Sequence, residues 1–197
     1  MVDSRQYKAA TNLLEGIENG VLVAGMRAVN RAATRGKTSW ARAVAADYTV
    51  KVKDVRPKIA VHKAIRTRLY AEVVALPARF ELVDFAHKPV TPIHQLKRKP
   101  VGGISVNVKR STGYLTVAGA FKVIGRKSGK ERIIWRTREG GKTVGRYPAY
   151  ILYGPRLDQL ALAVLPNIKA DIHAYMRKRF SHEVRNVIRR YAKKGKL

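Results

Sequence analysis

The sequence predicts an α+β protein: a long N-terminal helix and a C-terminal helix packed on a mainly antiparallel β-sheet. Three observations predict it. Between Val101 and Leu157 short runs alternate apolar and polar residues and are bounded by Gly and charged turns, the pattern of half-buried antiparallel strands. Before this stretch, apolar residues recur every three or four positions, and after it they do so again, which is the period of a helix face. A sheet with one apolar face needs a covering layer, and the flanking helices are the candidates.

Residues 4–47 are expected to form one long helix. Leu14, Ile17, Val21, Ala24, Ala28 and Ala32 make its apolar stripe, and Asp3 or Ser4 caps its start. Gly16, Gly20, Gly25 and Gly36 weaken it, each by about 1 kcal/mol relative to Ala, with a kink expected near Gly36. A short second helix is expected over residues 51–60. Together with the end of the first it would resemble a helix-turn-helix, but Pro57 stands where base-reading side chains would be presented, so a structural corner is expected instead.

The β-rich centre spans residues 64–153. Its first strand is placed at residues 64–75 and a shorter one at 80–85. Pro89, Pro92 and Pro100, together with Lys97, Arg98 and Lys99, mark residues 86–100 as an exposed, mobile loop. The strands from Gly103 onward are separated by a turn at Gly119-Ala120, a hairpin loop at residues 126–130 and a Gly-rich loop at 140–143. Residues 157–192 form the C-terminal helical region, with Pro166 at a first-turn position. Ile168, Ile172, Met176, Phe180, Val184, Ile188 and Tyr191 give that helix its apolar stripe. Arg177, Lys178, Arg179, Arg185, Arg189, Arg190, Lys193 and Lys194 crowd the rest of it.

The whole chain, residues 1–197, is read as a single domain, a length that supports one sizeable core. Its charge is unusual: 41 Lys and Arg against 13 Asp and Glu give a net charge of +28. Such a surface attracts nucleic acid, an acidic protein surface or an anionic membrane. Without cysteine there is no disulfide framework and no thiolate metal site. No signal peptide and no membrane span are read, so a soluble protein without a membrane partner is expected.

No constellation carries catalysis. The five histidines are scattered, the carboxylates are few, and no metal or cofactor site is expected. Gly125-Arg126-Lys127-Ser128-Gly129-Lys130 superficially suggests a phosphate loop, but it lies between two strands and is read as a turn. The candidate contacts to DNA or an acidic partner are Lys97, Arg98, Lys99 and the eight basic residues of the last helix. Phe121, Trp135, Tyr147, Tyr150 and Tyr153 are the candidate subunit interface.

One ordered set of segments is characteristic. Met26-Arg27-Ala28-Val29-Asn30-Arg31-Ala32-Ala33 is followed by Val52-Lys53-Asp54-Val55, then by residues 80–85 before the Pro-rich loop. Next come Gly119-Ala120-Phe121, a Gly-containing hairpin, Ile134-Trp135-Arg136, Arg146-Tyr147-Pro148 and Tyr153-Gly154-Pro155. Over roughly residues 20 to 190 this order resembles the prophage minor tail protein Z family of long-tailed bacteriophages, although Arg156-Leu157 replaces the family's usual Ser and Pro. The resemblance implies a structural virion protein similar to tail-completion proteins. It would be a ring subunit, a hexamer matched to the tail's symmetry, at the head–tail junction around the DNA channel. Implied partners are copies of itself, neighbouring tail and neck or connector proteins, and duplex DNA held without sequence preference. The implied location is the virion tail or neck, reached from the host cytoplasm during assembly. A free, sequence-non-specific nucleic-acid-binding protein is the alternative that explains the charge alone.

Overall fold

The computed structural model describes residues 4–14, 17, 19–92, 95, 102–136, 138–139, 142–143 and 149–193. The chain is α+β, with long helices near both ends and antiparallel sheets between them.

The helix expected over residues 4–47 is two helices, α1 (Ser4–Leu13) and α2 (Gly20–Asp47). The Leu14 amide still bonds back to the Ala10 and Thr11 carbonyls, and the Ile17 amide closes a turn onto Leu14. Asn19 then adopts a left-handed φ of 57°, a conformation that Asn tolerates better than most residues. Leu14 and Ile17 are buried in this turn, so the break places α1 and α2 in one core. At Gly36, by contrast, α2 continues without interruption.

The helix expected at residues 51–60 is only one turn, α3 (Val52–Val55), followed by a 3-10 turn (Arg56–Lys58) and strand β1 (Ile59–His62). Pro57 has no amide to donate, and the β-branched Ile59 and Val61 favour extended backbone. No recognition helix forms here. The strand expected at 64–75 is shorter, β2 (Glu72–Ala75), and pairs with β1 from Ile59↔Ala75 to His62↔Glu72. Between them the chain makes a tight turn, with reciprocal main-chain bonds between Ile65 and Arg68.

Residues 80–85 divide into β3 (Arg79–Glu81) and a 3-10 turn (Leu82–Asp84), whose Asp84 carboxylate accepts the Glu81 amide at 3.0 Å. The start of the expected loop at 86–100 is a strand, β4 (Ala86–Lys88); it pairs with β5 (Ile104–Asn107), and β5 with β6 (Leu115–Val117). A second sheet joins β7 (Ala120–Ile124), β8 (Glu131–Arg136) and β11 (Ala149–Ile151) in the order β11–β8–β7. Between β8 and β11 lies the small hairpin of β9 (Arg138–Glu139) and β10 (Lys142–Thr143). Strand β12 (Tyr153–Arg156) returns to β3.

The last helix, α4 (Leu157–Ala192), starts well before Pro166, which lies inside it. Pro166 and Leu162 are both exposed, so the carbonyl that loses its helical donor faces water, which lowers the cost of an internal proline.

The chain divides into two compact units. One gathers residues 1–43, 59–76 and 162–197; the other gathers residues 44–58 and 77–161. In the first, Ala10, Leu14 and Ile17 meet Ala24 and Ala28 of α2 and Phe180, Val184 and Val187 of α4. Small residues on α2 let the Phe180 ring come close: a methyl built on Gly25 would lie 3.9 Å from it. The expected stripe on α4 recurs every fourth residue from Ile168 to Ile188, and the buried Val164 extends it by one step. A helix has 3.6 residues per turn, so each step advances the row by about 40°. The apolar row therefore winds around α4 as a ridge rather than running straight. Asn30 also fastens the loop after β1, accepting the Ala64 amide at 2.7 Å and donating to its carbonyl at 3.0 Å.

In the second unit, Val44, Val50, Val55, Phe80, Phe85, Ile104, Ile133 and Leu157 are almost wholly buried. Phe80 and Phe85 meet edge to face, with centroids 6.0 Å apart. Lys122 is buried too, and its ammonium is satisfied by Glu131 and the Val90 carbonyl, each at 2.8 Å.

Candidate nucleic-acid interface

Helical periodicity sorts the basic residues of α4. Lys178, Arg185, Arg189 and Lys193 share one side with His182, while Arg190 and Arg177 are turned away from it on opposite flanks. All of these side chains are exposed. Arg179 differs: it is half-buried, and its guanidinium lies 2.8 Å from the Glu183 carboxylate. Lys97, Arg98, Lys99 and Lys194 lie outside the described residues.

Glu183 organises more than its own helix. It is buried, and the carboxylate oxygen that meets Arg179 also lies 3.2 Å from Nε of Arg31 on α2. One turn along α2, the Arg35 guanidinium sits 4.7 Å above the Tyr175 ring of α4. Two arginines around one carboxylate leave a net positive charge at a fixed place.

These contacts reveal residues that the reading of α4 alone missed. Arg27, Arg31 and Arg35 recur at four-residue intervals and Arg42 returns to the same side of α2, giving a cationic row alongside α4. The spacing is present in the sequence, but the alanine stripe is the more conspicuous pattern in the same segment. Elsewhere, Lys58 is a poorer candidate for anion binding. Its ammonium lies 3.7 Å from the centre of the Phe80 ring, and burial lowers its pKa, against the opposing pull of Asp84, Asp54 and Glu81.

The aromatic candidates divide between different faces. Trp135 on β8 and Tyr150 on β11 are cross-strand partners, with centroids 6.3 Å apart, and both are exposed. Phe121 pairs with Ile134 and so points to the opposite face of that sheet; the Arg136 guanidinium lies 5.4 Å above its ring. Tyr153 is exposed on β12, in a different sheet, and Tyr147 lies outside the described residues. Residues 125–130 form the β7–β8 hairpin turn, closed by the Gly125 amide on the Lys130 carbonyl and by the Gly129 amide on Gly125. No helix begins there.

Among the described residues no group of three His, Asp or Glu side chains is placed to hold a metal ion, and no helix is long and apolar enough to cross a membrane. No curated protein and no solved structure matches the chain. The family model described as prophage minor tail protein Z (GPZ) matches residues 6–194, extending at both ends beyond the segments that carried the resemblance. On that match, which takes in both compact units, the chain belongs to the prophage minor tail protein Z family.

Proposed function

We propose that the chain is a structural subunit of the virion of a tailed bacteriophage, a tail-completion protein that closes into a hexameric ring at the head–tail junction. DNA passes through the channel of this ring. The observation that carries the reading is the family match over residues 6–194. The charge supports it independently: a +28 chain suits a wall facing duplex DNA, which it would hold through the phosphate backbone without reading sequence. The ring needs a head-to-tail interface that closes on itself, and the exposed pair Trp135 and Tyr150, together with Tyr153, offers aromatic surface for it. Neighbouring tail and neck proteins take the remaining contacts. The role is structural rather than catalytic, and the host cytoplasm is its location before it joins the particle.

Cross-linking and mass measurement on assembled virions test this. Six copies per particle are expected. A single copy, or none, overturns the ring. A protein absent from particles that runs as a monomer and shifts any duplex would instead be a free nucleic-acid-binding protein.

A further inference from the structure

We propose that the arginine row of α2 and the basic side of α4 form one phosphate-binding surface for duplex DNA, with Glu183 as its positioning residue. The proposal rests on the DNA-channel reading and specifies which surface of the subunit meets the DNA.

Three observations carry it. The first is continuity. Arg31 and Arg35 of α2 touch α4 at Glu183 and Tyr175, and Lys178, His182, Arg185 and Arg189 lie on the exposed side next to those contacts. The second is pre-organisation. Arg31 meets Glu183 through Nε while its side chain stays 59% exposed, which leaves the Nη edge of the guanidinium open to solvent. A guanidinium held along one edge presents the rest of its planar fork to a phosphate with less rotational freedom to lose. Arg27, Arg31 and Arg35 are spaced about 6 Å apart along the helix axis, so the row offers repeated contacts.

The third observation selects the partner. From Gly20 to Ala46 the sequence of α2 contains no carboxylate, and beyond Ile172 the only one in α4 is Glu183, which is buried. Nor does α2 carry an exposed large apolar side chain, and the only one on α4 is Leu162 in its second turn. Protein interfaces are built around apolar or aromatic centres, and this surface lacks one. A cationic face with polar fillers such as Thr34 and Asn186 suits a sugar–phosphate backbone.

The test uses the full chain and fluorescein-labelled 30-base-pair duplexes of unrelated sequence, read by anisotropy across a salt series. Arg31→Ala with Arg35→Ala is expected to weaken binding about fifty-fold near 0.1 M salt and to reduce the slope of log affinity against log salt by about 1.8, as loss of two phosphate contacts requires. Arg126→Ala with Lys127→Ala, on the exposed β7–β8 turn, removes the same charge and is expected to change binding little. Equal losses from the two pairs overturn the surface while leaving DNA binding in place. Failure of the unaltered chain to bind any duplex overturns the DNA-channel reading as well. Displacement of the duplex by polyglutamate at equal charge concentration assigns the face to an acidic protein and overturns the proposal. Glu183→Gln, checked for folding by circular dichroism, tests the positioning role: it removes a negative charge yet is expected to weaken binding several-fold. Tighter or unchanged binding would remove Glu183 from that role.

Discussion

Gly103 is the most constrained single residue described. Its φ is 105°, and a Cβ built there would lie 2.2 Å from the Val117 carbonyl oxygen across the β5–β6 pair. Both backbone strain and a clash oppose any side chain. Gly103→Ala is expected to cost on the order of 3 kcal/mol, measured as a lower urea midpoint with an unchanged slope. Gly154 is constrained by packing alone, since its Cβ would stand 2.5 Å from the Phe85 ring. The Gly-Pro pair at 154–155 was visible as a motif, but the ring that requires it comes from the other end of the β3 segment and no local pattern points to it. The Arg31–Glu183 pair is hidden for the same reason: its members belong to helices near opposite ends of the chain. Arg177 and Lys178 could be placed on a solvated face from periodicity, whereas the pairing of Arg179 required the neighbouring helix.

At the scale of elements, the hydrophobic patterns located helices and strands better than they located their ends. The hairpin at 126–130 and the turn at Gly119 fall where Gly and charge clusters put them, because those turns are determined by adjacent residues. The break between α1 and α2 was obscured because Leu14 and Ile17 keep the helical apolar spacing through it, so the stripe continues where the backbone turns. Pro166 pointed to a helix start because an internal proline is normally costly; its exposure is a tertiary fact. Gly36 illustrates the opposite case. A methyl there would make ordinary contact, 3.4 Å from Ile172 and 3.8 Å from Val73, so Gly36→Ala is expected to stabilise the protein by up to about 1 kcal/mol through helix propensity. Phe180→Ala, which empties the centre of the α1–α2–α4 core, is expected to cost about 3–5 kcal/mol. Denaturant titration of the two variants in parallel checks both, and a destabilised Gly36→Ala would mean that Ile172 has no room to accommodate the methyl.

For the whole molecule, net charge is the property that composition states most directly and structure modifies least. With 41 basic groups against 13 acidic ones, even complete pairing would leave a large excess of positive charge. Self-repulsion should therefore weaken the fold at low ionic strength. The thermal midpoint is expected to rise between about 20 mM and 500 mM sodium chloride, as the Debye length shrinks from roughly 20 Å to under 5 Å; a flat or falling midpoint in differential scanning calorimetry would argue against it. The winding ridge of α4 has a different consequence, for changes in chain length. A single residue inserted between Ile172 and Phe180 would turn everything after it by about 100°, directing Phe180, Val184 and Val187 away from their partners. Four inserted residues would turn it by only about 40°, one further step of the ridge. Length variation in this helix should therefore be tolerated in whole turns and rejected in single residues, so that α4 acts as a phase-sensitive spacer even where its individual surface residues are free to vary.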